Sequence, residues 1–467
     1  MDDLERAMLA RVPLAEGVLW LWRHVLDEAA LQEVWDENRG RCYDRVITFP
    51  MLVVLVHDAL LRYASARESF LKHAEAETFA ASLQAAYGKL SRVPVPVSQA
   101  FLLQSYRRLR ELFPGWACWQ KPESLRRFGI VIYDGKAIKR VAKRLKPCRG
   151  AAGGLLGGRA LVAMDWETGM AVAMRGDIDG DANDVKHVGE LAPIVRAQFD
   201  GPLLSVSDAG FCDLEQPRHF TRCAGDHFLV RHHPKVHFHR DETIPARTGV
   251  NDLGQPFVET WGWLGSAKDR RRLAVRHIEL TCDSAQPVIL ITDLLDADEF
   301  PATDLLWIYR ERWEIERLFQ KVTEVFGLSH LIGCSPEATL FQFALCLVLY
   351  NTVQTVRGHI AQAQDLEPSE VSTEMLFRDV ARELTALNVM INTEQVVDHF
   401  TELPETPALH VRLATLFARC GSDTWTATAP QRPRNITPKE TSRTHNSVYR
   451  LVQKSQTTPN KNSPQRC

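Results

Sequence analysis

The sequence lacks the features that would assign it at once to several classes of protein. Its ten cysteines are scattered singly, and no pair has the two-residue gap of a zinc or redox motif, so we expect reduced thiols. The longest apolar run, 338–353, contains polar residues and is shorter than the roughly 20 residues that cross a bilayer. No secretory signal opens the chain. We therefore expect a soluble cytoplasmic protein with no membrane partner, in which 338–353 is a buried helix.

The net charge is small, −2, but the charges are unevenly distributed along the chain. Residues 121–150 contain ten Lys or Arg against two acids, and residues 431–467 contain eight against one. The rest of the chain is correspondingly acidic. Two basic blocks on an otherwise acidic protein indicate a polyanionic partner. A solvated face and a disordered tail would explain the same charge runs.

Hydrophobic periodicity divides the chain into segments of different secondary structure. We predict an α/β fold in which helical regions flank a core with a mixed sheet, and a β-rich insertion interrupts that core. The segments are a helical N-terminal domain, 1–122, which is a candidate for DNA binding; the first part of the core, 125–231; the insertion, 232–299; the rest of the core, 300–355; a helical C-terminal region, 356–430; and a basic, disordered tail, 431–467.

One helix of the N-terminal domain has a role that the sequence leaves open. Ser98 is a good N-cap for a helix over 99–113, which carries three arginines. The prolines before it, Pro94 and Pro96, favour an extended chain up to that cap. A basic helix of this kind can enter a DNA groove, or it can lie in a bundle with an ordinary charged face.

Two acidic residues follow buried strands in the core. Residues 129–133 form a short apolar strand that leads to Asp134, and residues 202–207 form another that leads to Asp208. The end of a strand is where an α/β sheet presents side chains to a ligand. Two metal ions about 3.5–4 Å apart need carboxylates from different elements. We therefore expect a third acid on a helix that crosses these strand ends.

The helix predicted over 303–326 offers that third acid. At roughly 100° per residue, Glu316 lies beside the apolar stripe of the helix and shares its face with Tyr309 and Arg312. The other glutamates at the centre of this helix are predicted to be solvated. Glu316 is therefore the acid that we choose.

These residues resemble the motifs of a known family. Tyr309, Arg312 and Glu316, with two and three residues between them, resemble the Tyr-Arg-Glu-Lys motif of bacterial insertion-sequence DDE transposases of the IS-four type. Asp134-Gly-Lys is similar to the first-acid motif of that family, and Asp208-Ala-Gly-Phe is similar to its second-acid motif. A β-rich insertion before the glutamate is also a feature of the family. The resemblance covers about 125–355 and implies an RNase H-like catalytic core.

The resemblance also implies an activity and its partners. The expected reaction is metal-dependent cleavage of DNA at the ends of an insertion sequence, followed by strand transfer into target DNA. Asp134, Asp208 and Glu316 would be the catalytic residues and the ligands of two Mg2+ ions, for which Mn2+ can substitute. The partners would be double-stranded DNA and a second copy of the chain, in a homodimer on DNA. The location would be a bacterial cytoplasm, with nucleoid association when bound.

Residues around the three acids are expected to contact DNA. The resemblance implies that Tyr309 and Arg312 hold the backbone near the scissile phosphate, with Arg312 using its bidentate fork. The basic residues that follow Asp134 would neutralise neighbouring phosphates and make binding salt-dependent. These basic residues are Lys136, Lys139, Arg140, Lys143 and Arg144.

One position departs from the family pattern. The family has a DNA-contacting lysine seven residues beyond the glutamate, and here that residue is Thr323. Lys321 lies about 140° round the helix from Glu316 and does not substitute for it. Gln320 and Thr323 share the relevant face and could make weaker phosphate contacts. The departure keeps open a catalytically impaired DNA-binding relic of an element, and a plain RNase H-like nuclease on the same fold is a separate alternative.

Two further clusters have simpler interpretations. The histidines at 232, 233, 237 and 239 match no closed four-ligand zinc site, and we interpret them as a histidine-rich surface that faces DNA. The acidic run 177–184 lacks the bidentate acid of a calcium loop. We interpret it as a turn in which Asn183 or Asp184 caps the next helix.

Overall fold

The computed structural model describes residues 7–457 with gaps. The positions outside the description are 1–6, 64, 76, 78, 80, 115–120, 267, 269–270, 282–286, 329, 391–399, 401, 422–424, 427–444 and 458–467.

The N-terminal part of the chain is helical. Four of its described helices begin at side-chain caps, because Asp27, Thr48, Ser65 and Ser82 each accept a hydrogen bond from the backbone N–H three residues on. The helices are α1 (Pro13–Val25), α2 (Glu28–Asn38), α3 (Phe49–Leu61), α4 (Ala66–Glu75), α5 (Leu83–Leu90) and α6 (Val95–Leu112).

Helix α6 corrects an expectation about the proline segment. The helix begins at Val95, with Pro94 as its N-cap and Pro96 in its first turn, so the chain is helical before Ser98. Proline is tolerated there because the first N–H groups of a helix have no intrahelical partner. The apolar face of α6 is buried, including Phe101 and Tyr106. The helix is therefore part of the core, as the bundle interpretation predicts.

A mixed sheet forms the centre of the molecule, in agreement with the predicted α/β class. The strands are β1 (Gly129–Ile138), β2 (Gly154–Leu156), β3 (Gly158–Asp165), β4 (Ala171–Asp177), β5 (Leu203–Ser207), β6 (His227–Arg231), β7 (Phe238–Arg240), β8 (Arg247–Val250), β9 (Pro256–Leu264), β10 (Leu273–Leu280) and β11 (Val288–Thr292). The order is β4-β3-β1-β5-β6-β11-β10-β9-β7, with β8 beside β9 and β2 outside this sheet. Strand β1 is antiparallel to β3 and parallel to β5.

The β-rich region over 232–299 continues the same sheet. Strand β11 pairs antiparallel with β6, and Ile291 lies opposite Val230. Strands β10, β9 and β7 then follow outward as antiparallel neighbours. The insertion is thus joined to the core through backbone hydrogen bonds of β6.

Helices cover the sheet and link it to the helical parts. They are α7 (Val188–Arg196), α8 (Gln216–Phe220), α9 (Ala302–Glu311), α10 (Trp313–Glu324), α11 (Pro336–Gln364), α12 (Thr373–Met390) and α13 (Thr406–Phe417). Helix α11 is long and apolar enough to span a membrane, but its apolar stretch is buried inside the protein. The prediction of a buried helix over 338–353 is therefore confirmed.

The helix predicted over 303–326 is in fact two helices. Helix α9 ends at Glu311 and α10 begins at Trp313, and they meet at Arg312. The backbone N–H of Arg312 donates to the carbonyl of Tyr309, three residues back rather than four. This tighter turn interrupts the α-helical hydrogen bonding one turn before the candidate glutamate.

Part of the C-terminal tail is ordered, which corrects the expectation of disorder for residues 445–457. They form β12 (His445–Ser447), which pairs in parallel with β2, and α14 (Val448–Thr457). The physical reason is a small apolar cluster in which Val448 packs with Cys148 and Leu155. The rest of 431–467 lies outside the described residues.

Candidate active site

The first two acids lie side by side on parallel strands. Tyr133 of β1 is paired with Ser207 of β5. Asp134, inside β1, and Asp208, directly after the end of β5, each follow this pair by one residue, so the two acids lie next to each other in the sequence of the two strands. The local sequence explains this placement, because each acid directly follows an apolar stretch that is buried in the sheet.

Backbone N–H groups fix the orientation of both carboxylates. Oδ1 of Asp134 accepts a hydrogen bond from the N–H of Gly135 at 2.7 Å. Oδ1 of Asp208 accepts one from the N–H of Gly210 at 2.8 Å and caps a short 3-10 turn. Both acids remain partly accessible to solvent, so both can contact a ligand.

The carboxylate of Glu316 forms an ion pair with Arg312. Nη2 of Arg312 lies 3.0 Å from Oε1 of Glu316, and the arginine side chain is only 9 % exposed while that of the glutamate is 36 % exposed. The guanidinium lies 5.6 Å from the ring centroid of Tyr309 and 5.3 Å from that of Trp313. The turn at Arg312 thus places an arginine between two aromatic rings and aims it at Glu316.

The three acids share one electrostatic environment. Burial raises the pKa of Asp134 to about 6, and the negative charges of Asp208 and Glu316 add to the increase. The N–H of Gly135 and the charge of Arg312 oppose it. Asp134 is thus close enough to the other two acids and to Arg312 for their charges to influence its protonation.

The donor chemistry of this group suits a divalent cation, because carboxylate oxygens are the ligands that Mg2+ and Mn2+ prefer. Besides burial, the negative charges of Asp208 and Glu316 raise the pKa of Asp134. A bound cation would neutralise these charges. Within the described part of the chain, however, no group of three or more His, Cys, Asp or Glu is close enough to hold an ion. The carboxylate of Glu316 forms an ion pair with Arg312, so a cation bound there would compete with Arg312 for it.

Tyr309 lies on the same side of the site as the acids. It is half-buried, and burial raises the pKa of its hydroxyl. The charges of Arg312, Arg231 and Asp208 also act on this hydroxyl. Tyr309, Arg312 and the three acids therefore lie near enough for their charges to act on one another.

The basic residues after Asp134 fall into two groups. Lys136 is partly buried and lies 5.5 Å from the ring centroid of Phe319, so it packs β1 against α10. The other four are exposed, and they are Lys139, Arg140, Lys143 and Arg144. Nζ of Lys143 donates to the carbonyl of Ala151 at 2.5 Å, and this hydrogen bond stabilises the loop that contains both residues.

The histidine cluster is not arranged around a metal. Nε2 of His232 is 2.8 Å from the carbonyl of Val236, and Phe238 stacks on His277 at 4.5 Å. His237 and His239 are exposed on the outer part of the sheet. Packing and solvent therefore account for these side chains, and their orientation toward DNA stays a prediction.

The acidic run 177–184 is a capped turn, as predicted, and Asn183 is the cap. The ion pairs of Asp177 with Lys186 and of Asp179 with Arg450 neutralise two of its acids. Asp184 has a different environment that the sequence did not indicate. Its carboxylate lies against Gly135, where a Cβ would overlap it, and its Oδ2 is 3.1 Å from Nε of Arg159.

One protein-family model matches the part of the chain that contains the three acids. Residues 127–352, just under half of the chain, match the family model described as the transposase DDE domain. A cryo-EM structure of the piggyBac transposase synaptic complex with hairpin DNA is similar at a TM-score of 0.41 and 12 % identity, over 88 % of this chain and 87 % of that chain. No curated protein matches the chain. The matched segment, 127–352, contains Asp134, Asp208 and Glu316, and it is similar to the transposase DDE domain.

Proposed function

We propose that this protein is a DDE transposase of the bacterial insertion-sequence, IS-four type, which cleaves DNA at the ends of its element and transfers them into target DNA. One observation carries the proposal. Asp134 and Asp208 occupy neighbouring positions on parallel strands, and the helix of Glu316 packs on the first of these strands. All three acids lie inside the segment that matches the DDE domain model.

The sheet supports an RNase H-like core in this proposal. Strand β1 lies at the centre of the order β4-β3-β1-β5-β6, antiparallel to β3 and parallel to β5. Asp134 lies on the first strand of this core and Asp208 follows its fourth strand, β5. Glu316 comes from a later helix, after strands that extend the sheet from β6.

In this proposal Asp134, Asp208 and Glu316 would hold two Mg2+ or Mn2+ ions. Such ions supply an activated water or 3′-hydroxyl and stabilise the leaving oxygen of a phosphodiester. Arg312 orients the carboxylate of Glu316 through their ion pair. Tyr309 stacks against Arg312 and keeps the guanidinium in place beside the DNA backbone.

DNA is the partner that the surface around these residues suits. The exposed Lys139, Arg140, Lys143 and Arg144 would contact phosphates and make the affinity salt-dependent. Joining two element ends requires two active sites, so we also propose a homodimer on DNA. The proposed location is the bacterial cytoplasm, with association to the nucleoid when the protein is bound.

The test is an assay of the purified protein with Mg2+ or Mn2+ and a labelled duplex that carries the end of the flanking element. We expect cleavage at the element boundary and joining of that end to a second duplex. Equal cleavage of an unrelated duplex would indicate a plain nuclease instead. Binding without cleavage in either metal would indicate a catalytically impaired relic.

A further inference from the structure

A basic cleft opens directly beside the candidate active site. It has a volume of about 340 Å³, and it lies between β1, the start of β3 and the last turns of α10. Gly135, the residue after Asp134, forms part of its wall. The basic residues that line it are Lys136, Lys139, Arg140 and Arg159.

We propose that this cleft binds a phosphate group of the DNA backbone and that Arg159 is its principal phosphate-binding residue. The inference rests on the proposed function, since it assigns a contact to the same DNA. Arg159 lies on β3, far along the chain from the basic run that follows Asp134, and it is opposite Ala137 in the β1–β3 ladder. The pairing of these strands brings the two sources of positive charge together.

Arg159 is held in position before any ligand arrives. Its Nη1 donates to the carbonyl of Ala182 at 2.9 Å, and its Nε lies 3.1 Å from Oδ2 of Asp184. The side chain is 31 % exposed and lines the cleft. A guanidinium that is already held through two of its nitrogens loses little freedom when it binds a phosphate through the third, Nη2.

Gly135 makes this arrangement possible. A Cβ at position 135 would overlap the carboxylate of Asp184, so only glycine leaves room for that carboxylate next to β1. Asp184 in turn orients Arg159. Gly135, which follows Asp134, thus leaves room for the carboxylate that orients Arg159 in the cleft.

Among the described residues that line the cleft, none of the basic side chains belongs to helix α10. Thr323, two turns beyond Glu316, donates its hydroxyl to the carbonyl of Phe319 at 2.6 Å. Nζ of Lys321 lies instead 3.2 Å from Oγ1 of Thr373. The positive charge of the cleft therefore comes from β1, the segment after it and β3.

The test measures the affinity of the full-length protein for a short labelled duplex as a function of salt. We expect Arg159→Gln to weaken binding about tenfold and to lower the slope of log affinity against log salt by about one. A lysine introduced on the opposite wall by Thr323→Lys should restore most of the affinity in the Arg159→Gln background. Arg175→Gln is the matched control, because Arg175 is 27 % exposed and pairs with an acid, Glu190, but does not line the cleft.

The outcomes separate this inference from the proposed function. Unchanged affinity and salt slope of Arg159→Gln, in a protein whose wild type still cleaves DNA, would overturn the cleft assignment alone. Equal losses of DNA affinity in Arg159→Gln and Arg175→Gln would overturn it as well.

A second measurement uses inorganic phosphate and thermal unfolding. Stabilisation by phosphate that Arg159→Gln abolishes, without any change in DNA affinity, would show a site for a free anion and contradict the proposal.

Discussion

Asp134 and Asp208 each follow by one residue the pair that Tyr133 and Ser207 form between the parallel strands β1 and β5, and Asp208 lies just beyond the end of β5. Burial and the two neighbouring acids raise the pKa of Asp134 to about 6. Like charges gathered at a partly buried position are costly without a compensating cation. The arrangement is therefore typical of a functional site rather than of a site that only stabilises the fold.

Arg312 should influence how the site responds to metal. Its ion pair holds Glu316, so Arg312→Lys should weaken that hold and remove the contact of the guanidinium with the ring of Tyr309. We expect the cleavage rate at saturating Mg2+ to fall about tenfold or more, because a charged hydrogen bond contributes roughly 1.5–3 kcal/mol. The Mg2+ concentration for half-maximal cleavage should decrease at the same time. A variant that needs more Mg2+ than the wild type would contradict the competition between cation and arginine.

Gly135 should not tolerate even alanine. A Cβ there would overlap the carboxylate of Asp184, so Gly135→Ala should lower the free energy of unfolding by about 1–3 kcal/mol. The control is Gly88→Ala in α5, where the nearest atom to a Cβ is the tip of Arg92 at 3.6 Å. That change should stabilise the protein by up to about 1 kcal/mol. Urea unfolding measures the free energy of unfolding of both variants, and equal values for the two would refute the steric argument.

The protein should lose stability in mild acid. Burial lowers the pKa of His359 from 6.5 to about 4, and His410 adds to the decrease. The unfolded chain therefore binds more protons than the folded chain between these values, so stability falls as the pH falls from about 6.5 to 4. His359 alone should account for about 2 kcal/mol between pH 7 and pH 5.

His359→Gln tests that contribution. Urea unfolding at pH 7 and pH 5 should show a smaller difference in the free energy of unfolding for this variant than for the wild type. His239→Gln, at an exposed position, should keep the wild-type difference. The same pH dependence in all three proteins would disprove the role of the buried imidazole.

The C-terminal strand and helix should depend on Val448. This side chain is fully buried in the small cluster that joins α14 to β2 and to the loop around Cys148. Val448→Ala leaves a cavity and should cost about 1–3 kcal/mol of local stability. Amide exchange in 154–156 and 445–447 should then accelerate about tenfold or more. Val411→Ala, at a side chain that is 65 % exposed, should leave these rates unchanged, and acceleration in both variants would argue against the cluster.

Much of the fold and the grouping of the candidate site could be predicted from the sequence. Apolar stretches that end in Asp134 and Asp208 indicate strands that present acids, and helical spacing places Glu316 with Tyr309 and Arg312. The turn at Arg312 could not be predicted, because the same spacing also fits one continuous helix. The helix at Pro96 shows that a proline near a helix start does not by itself mark an extended chain.

The features that could not be predicted from the sequence depend on contacts between segments that are far apart in the chain. Nothing near Arg159 in the sequence indicates Asp184 or the cleft, since the pairing of β1 with β3 brings them together. The order of residues 445–457 depends likewise on apolar partners nearly 300 residues away, such as Leu155. Composition alone predicts a disordered tail there, because it contains no information about those partners.

The most direct test of the central claim is Mg2+-dependent cleavage of a labelled element-end duplex by four variants. Asp134→Asn, Asp208→Asn and Glu316→Gln each remove one proposed catalytic carboxylate with little change in shape. Glu314→Gln is the matched control on α10, because Glu314 pairs with Arg317. We predict that the first three variants bind the duplex but do not cleave it, and that the control cleaves as the wild type does. Wild-type cleavage by Asp134→Asn, Asp208→Asn or Glu316→Gln would contradict the assignment of these three acids.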